Sequence, residues 1–130
     1  AAFPYKRVIS ANVEVGLGTD ISGGYSPSLY ENCRLSVVAS LALSDGVNPE
    51  NPARGTPNSR IDITDSFYMA TLGGAKALGI EHLIGSFQVG KYFDVQLVRK
   101  PLTTSNTDGT GIEIFERLMH STNEHQIRKV

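Results

Sequence analysis

The stretch Val13-Glu14-Val15-Gly16-Leu17-Gly18-Thr19-Asp20 constrains the fold more than any other part of the chain. Val13, Val15 and Leu17 alternate with Glu14, Gly16 and Gly18, the period-two pattern of a strand, and the two glycines let such a strand pack closely in a barrel or a covered sheet. A strand of this kind needs hydrogen-bonding partners on both sides. It ends in Asp20, and Ile21-Ser22-Gly23-Gly24 then reads as a glycine turn. In parallel α/β architectures the carboxyl ends of strands collect functional groups, because the loops beyond them form the mouth of the site. A carboxylate there can bind a metal or move a proton; its plainer reading is a turn or helix-capping aspartate, since Asp is favoured in both places. Gly23 and Gly24 have the same two readings, close backbone approach to a bound group or a tight turn into a helix.

The remaining pattern mixes helices with strands. Phe3 to Ser10 reads as the end of a helix or an irregular approach. Ser26-Pro27, or Ser28 with Glu31 one register later, starts a helix in which Leu29, Cys33, Val37 and Leu41 recur every four positions, with Val38 beside them. Ser44 to Arg60 is polar and rich in Pro, Gly and Asn, a surface loop that its length predicts to be mobile. Thr64 is placed to cap a second helix with Phe67, Ala70 and Thr71 inward; Gly73-Gly74 interrupts it, and Gly79 closes the resumed piece. From Ile84 to Val98 the period changes to that of strands, with Phe93, Val95 and Leu97 on one side and Asp94, Gln96 and Val98 on the other. Residues 99 to 111 form a loop, Ile112 to His120 a short helix on Ile112, Phe115 and Met119, and Gln126 to Val130 begins a strand that is cut off at once. A truncated strand and a barrel-type strand short of partners predict a piece of a larger protein. Open edges and apolar patches left in this way predict self-association as a homo-oligomer.

Composition narrows the function classes. The chain has 130 residues, 40% of them hydrophobic, enough for one domain with a core. A formal charge of −1, with 12 basic residues scattered rather than clustered, gives no phosphate-binding stripe, so no nucleic-acid partner is expected. Cys33 is the single cysteine and forms no internal disulfide, no apolar run approaches the roughly 20 residues that cross a bilayer, and the N-terminus lacks a secretion signal. A soluble, cytoplasmic protein with no membrane partner is the expectation. His82, His120 and His125 lack the i, i+2 or i, i+4 spacing of a metal pair and read as surface or structural histidines. Gly85 to Lys91 has the spacing of a phosphate-binding loop. However, Tyr92 replaces the Ser or Thr that would reach magnesium, and a strand pattern follows Lys91 where a helix should begin.

Three segments, GLGTDISGGYSPS, ATLGGAKALGI and IGSFQVGKYFDVQLV, resemble in order and spacing the C-terminal third of guanine deaminases of the amidohydrolase superfamily. The first discriminates: in triazine- and adenosine-type relatives the aspartate is followed by Gly and then a Ser-Asn pair, whereas Ile21-Ser22-Gly23-Gly24 with Tyr25 and Ser26 is similar to the guanine-specific version. The resemblance implies an α/β fold, the C-terminal fragment of a metal-dependent (β/α)8 barrel plus part of a small accessory β-domain. Residues 1–83 would hold the terminal strand and helices of the barrel, and 84–130 the accessory part with its short helix. It implies hydrolytic deamination of guanine, the small-molecule substrate, to xanthine and ammonia, with one divalent metal, most often zinc. Asp20 would be both catalytic and a metal ligand. The metal histidines, the general acid and the purine-reading residues would lie outside this chain, so these 130 residues alone are expected to be inactive. The other reading is a non-catalytic binding module or a truncated paralogue domain, which the lack of the metal histidines favours.

Overall fold

The computed structural model describes residues 2–46, 48, 50, 51, 53–99 and 109–129. Among these the order is α1 (Tyr5–Ile9), α2 (Leu29–Asp45), α3 (Ile63–Ala70), α4 (Leu72–Ala77), β1 (Gln96–Val98), α5 (Gly111–Ser121) and β2 (Ile127–Lys129). The segment read as a barrel strand, Val13 to Thr19, is extended but belongs to no ladder, because no second strand lies beside it among the described residues. Its backbone is tied at two points: the Val13 N–H donates to the Val8 carbonyl at 3.4 Å, and the Leu17 N–H to the Met69 carbonyl at 3.0 Å. The expected alternation holds without the sheet from Val15 onward, while Val13, expected on the same face, is exposed. Val15, Leu17 and Thr19 are half-buried, while Glu14, Gly16, Gly18 and Asp20 are exposed.

Helix starts follow from local chemistry. Ser28 flanks α2, and the bonds at this end come from the Ser26 hydroxyl, which accepts from the Ser28 N–H at 3.1 Å, and from Asn32, whose amide donates to the Ser26 and Ser28 carbonyls at 2.8 Å each. The second helix is capped by Asp62 rather than Thr64. Asp62 Oδ1 accepts from the Asp65 N–H at 2.8 Å, and Asp65 Oδ2 accepts from the Asp62 N–H at 3.2 Å, a reciprocal capping box. The buried face is Ile63, Ser66 and Met69; of the residues expected inward Ala70 and Thr71 are half-buried, Ala70 against the core, and Phe67 is exposed. The break between α3 and α4 falls at Thr71, before the two glycines instead of at them. Gly79 does end the second piece: its φ of +71° is left-handed, and its N–H donates to the Lys76 carbonyl at 2.9 Å.

The long loop after α2 is held at its ends. The Thr56 N–H donates to the Leu43 carbonyl at 2.8 Å, and Arg60 pairs with Asp45 at 2.7 Å. Residues 100–108 of the later loop, and Val130, lie outside the described residues. Strand structure after Ile84 is shorter than its alternation predicts, because the chain turns repeatedly up to Ser86 and pairs only over Gln96–Val98. The final strand, expected to be left without a partner, pairs antiparallel with β1, Leu97 facing Arg128.

Two small clusters form the core. Tyr5, Ile61 and Met69 make one, with Val15, Leu17 and Val37 packed on it; Cys33, Ile63 and Met119 make the other. The second draws α5 onto α2 and α3, and Phe115 meets Phe67 edge to face at 4.9 Å. A serine seam joins α2 to α3. The Ser36 and Ser66 hydroxyls lie 2.6 Å apart and reach the Cys33 carbonyl at 2.8 and 3.1 Å. Arg34 fixes the end of α5, donating from Nε to the Met119 carbonyl at 2.8 Å and from Nη2 to the Thr122 carbonyl. A cation there also meets the negative end of the helix dipole.

Replacing Arg34 with Met keeps the stem and leaves both carbonyls short of a donor. Arg34→Met is expected to lower the unfolding free energy by about 1–3 kcal/mol in a urea titration; an unchanged midpoint would show that the clamp contributes nothing. Burial pushes the Cys33 thiol above 9.0 and the Tyr5 and Tyr30 hydroxyls above 10.0. The unfolded chain therefore gives up these protons at lower pH than the folded one, so their contribution is whole below about pH 9 and is lost as pH rises through the folded values. Stability measured from about pH 9 upward is expected to fall, and a flat profile to pH 11 would contradict this.

Candidate active-site carboxylate

Asp20 stands where the extended segment ends and the chain turns toward α2. Its φ of 47° is left-handed, and so is that of Ser22 at 85°, conformations that non-glycine residues adopt at a cost. The turn is closed on Asp20 itself. Its carbonyl accepts from the Gly23 N–H at 2.9 Å and also from the Gly24 N–H. The Asp20 side chain is exposed and lies over Gly23, where an added Cβ would sit 3.1 Å from Oδ2. At Gly24 an added Cβ would fall 2.0 Å from the Thr19 carbonyl oxygen, an overlap that only glycine avoids. Of the two readings of this glycine pair, the geometry is that of the tight turn.

No other metal-binding group stands with it. His82, His120 and His125 are all exposed, and among the described residues no group of three or more His, Cys, Asp or Glu could hold a metal ion. A metal site needs three or four protein ligands. The described part of the chain thus fits a metal to the extent of one oxygen donor, the exposed Asp20 carboxylate, and does not enclose an ion by itself. The apolar cavity behind the segment, about 200 Å³ in volume, is lined by Tyr5, Val15, Leu17, Ile61 and Met69, and Asp20 is not part of its wall.

The phosphate-loop spacing does not become a phosphate site. Lys91 donates to the Ser86 hydroxyl at 2.8 Å within the same loop, and residues 92–95 are not helical, so no helix N-terminus aims its amides at the loop. Sequence reasoning missed Asn32, which pins the approach to α2 through two carbonyls. Its position four residues after Ser28 was the available signal.

The sequence pattern of the amidohydrolase family matches residues 2–123. The chain belongs to this family. It is similar to guanine deaminase of Dictyostelium discoideum, 40% identical over 93 residues that make up 72% of this chain and 19% of that protein. Mouse guanine deaminase is 38% identical over 103 residues, 78% of this chain and 21% of the relative. Among solved structures, E. coli guanine deaminase superposes with a TM-score of 0.71 at 27% identity, covering 98% of this chain and 27% of that one. The chain therefore spans about a fifth of the curated relatives it matches. The (β/α)8 barrel expected from the resemblance is the architecture of the family, and the described residues of this chain are helix-rich with two short strands. No helix among the described residues is long and apolar enough to cross a membrane.

With a single oxygen donor in place, the 130-residue chain is expected to retain only substoichiometric zinc after dialysis. Elemental analysis showing one tightly held zinc per chain would reveal ligands beyond Asp20.

Proposed function

We propose that the whole protein is a metal-dependent aminohydrolase that converts guanine and water to xanthine and ammonia, and that this chain contributes Asp20 to its active site. The observation that carries the reading is the guanine-type segment Gly18 to Ser26, folded so that the Asp20 carboxylate stands exposed at the end of an extended segment. The named activity of the relatives supports it.

In the reaction a C–O bond forms at the ring carbon bearing the amine and the C–N bond breaks; one of the water's protons goes to the departing nitrogen, giving ammonia, and the other to the adjacent ring nitrogen, giving xanthine. A divalent metal, zinc by family resemblance, supplies the Lewis acidity that makes water nucleophilic near neutral pH. Asp20 would hold it through one carboxylate oxygen and accept the water's proton on the other, since a carboxylate has acceptor capacity for both tasks. The left-handed backbone of Asp20, closed by the Gly23 and Gly24 amides, sets the direction in which its side chain leaves the chain.

The proposal also takes residues 1–83 as the terminal strand and helices of the barrel and 84–130 as part of an accessory β-domain, with the β1–β2 pair as its nucleus. A cytoplasmic setting agrees with the free, buried Cys33. Assembly as a homo-oligomer agrees with the exposed apolar side chains of Phe87, Val89, Tyr92 and Phe93.

Asp20→Ala in the full-length protein is expected to cut guanine turnover by roughly 10²- to 10⁴-fold, the contribution of a positioned proton acceptor, while circular dichroism stays unchanged. Ordinary turnover in that variant would remove Asp20 from the mechanism. A full-length protein inactive even before substitution would favour the binding-module or truncated-paralogue reading.

A further inference from the structure

The turn after Asp20 holds more than a chain reversal requires. Two successive amides, those of Gly23 and Gly24, donate to the same Asp20 carbonyl. Two residues in four, Asp20 and Ser22, are left-handed without being glycine. The two glycines differ in what they avoid. At Gly24 the obstacle is backbone: an added Cβ would lie 2.0 Å from the Thr19 oxygen and 3.0 Å from the Asp20 oxygen. At Gly23 it is the functional group itself, with Oδ2, Cγ and Oδ1 of Asp20 at 3.1, 3.5 and 3.6 Å.

We propose that Gly23 and Gly24 are positioning residues for the Asp20 carboxylate, Gly24 by setting the peptide plane that carries Asp20 and Gly23 by leaving the space its carboxylate occupies. This rests on the reading of Asp20 as a metal ligand and proton acceptor. The Thr19 carbonyl cannot simply swing away from a side chain at position 24. Thr19 is half-buried, and two residues earlier Leu17 is bound to the Met69 carbonyl at 3.0 Å. The displacement is passed to the next residue, Asp20, whose exposed side chain has no packing to resist rotation. A side chain at position 23 acts more directly and more mildly, because the atoms in its way are the free end of a side chain that can shift by a few tenths of an ångström.

The test uses the full-length protein with four variants: Gly24→Ala, Gly23→Ala, Asp20→Ala and, as control, Gly111→Ala, where an added Cβ meets nothing within 4 Å. Two quantities are read, guanine kinetics and the rate at which a chelator strips zinc, together with circular dichroism. Gly24→Ala is expected to lower kcat at least tenfold with KM changed less than threefold, and to speed zinc loss at least fivefold. Gly23→Ala should shift both in the same direction by a smaller factor, and Gly111→Ala neither. A merely structural turn would alter stability without the split between kcat and KM and without faster zinc loss. If Gly24→Ala fails to fold, Gly23→Ala decides: wild-type kinetics and wild-type zinc retention overturn the proposal. Activity lost in Asp20→Ala but kept in both glycine variants sinks the positioning role alone. Activity kept in Asp20→Ala sinks the reading beneath it.

Discussion

Everything about the placement of Asp20 depends on a contact that has no side chain in it. Gly16, in the extended segment, faces Gly74 in α4 so closely that a Cβ on Gly16 would lie 3.0 Å from the Gly74 Cα. Backbone against backbone at this distance lets the segment settle onto the α3–α4 pair, and the Leu17 N–H then reaches the Met69 carbonyl at 3.0 Å. Val15 and Leu17 drop onto the cluster of Tyr5, Ile61 and Met69 as a result. Four residues beyond Gly16 the chain leaves this support, and Asp20 stands at the point of departure. A segment with no ladder of its own is thereby held in the geometry of a strand.

The same glycines were the legible part of the sequence. Alternation placed the extended segment and, from Val15 to Thr19, its two faces, because period two is a property of extended backbone whether or not a sheet forms around it; Val13, expected inward, is exposed. The ladder did not follow, since a ladder depends on partners and no pattern within the segment can supply them. Helices were visible wherever apolar spacing or a capping residue marked them, but their faces were less so. Leu29 and Leu41, at the ends of the four-residue stripe on α2, are each 40% exposed, while the polar Asn32 and Ser40 between them are buried.

That inversion has a physical cause. Serine reads as surface in a pattern based on hydropathy, yet a helix pair that approaches closely favours small side chains whose hydroxyls can find carbonyls nearby. Ser36, Ser40 and Ser66 do this. Ser40 donates to the Val37 carbonyl at 2.7 Å and accepts from the Ile61 N–H at 3.1 Å, so one hydroxyl both returns to its own helix and fixes the chain entering α3. The α3 register was misplaced for a related reason: Asp62 and Thr64 are both competent caps, and what decides between them is the reciprocal acceptor at Asp65, three residues after Asp62.

Two core clusters of three buried residues each are a small reserve of apolar burial for a chain of this length. Large apolar groups remain outside, with Val89, Phe87 and Phe93 at 103%, 75% and 74% exposure. Packing against such a core cannot be what orients a side chain at its margin. What is set locally is the backbone at Asp20, by two amides on one carbonyl and by the approach at Gly24 that leaves no room for a Cβ. The carboxylate itself is exposed, in the space that Gly23 leaves beside it. The cost is carried in the backbone, in the left-handed φ of Asp20 and Ser22, where no apolar contact is needed to hold it.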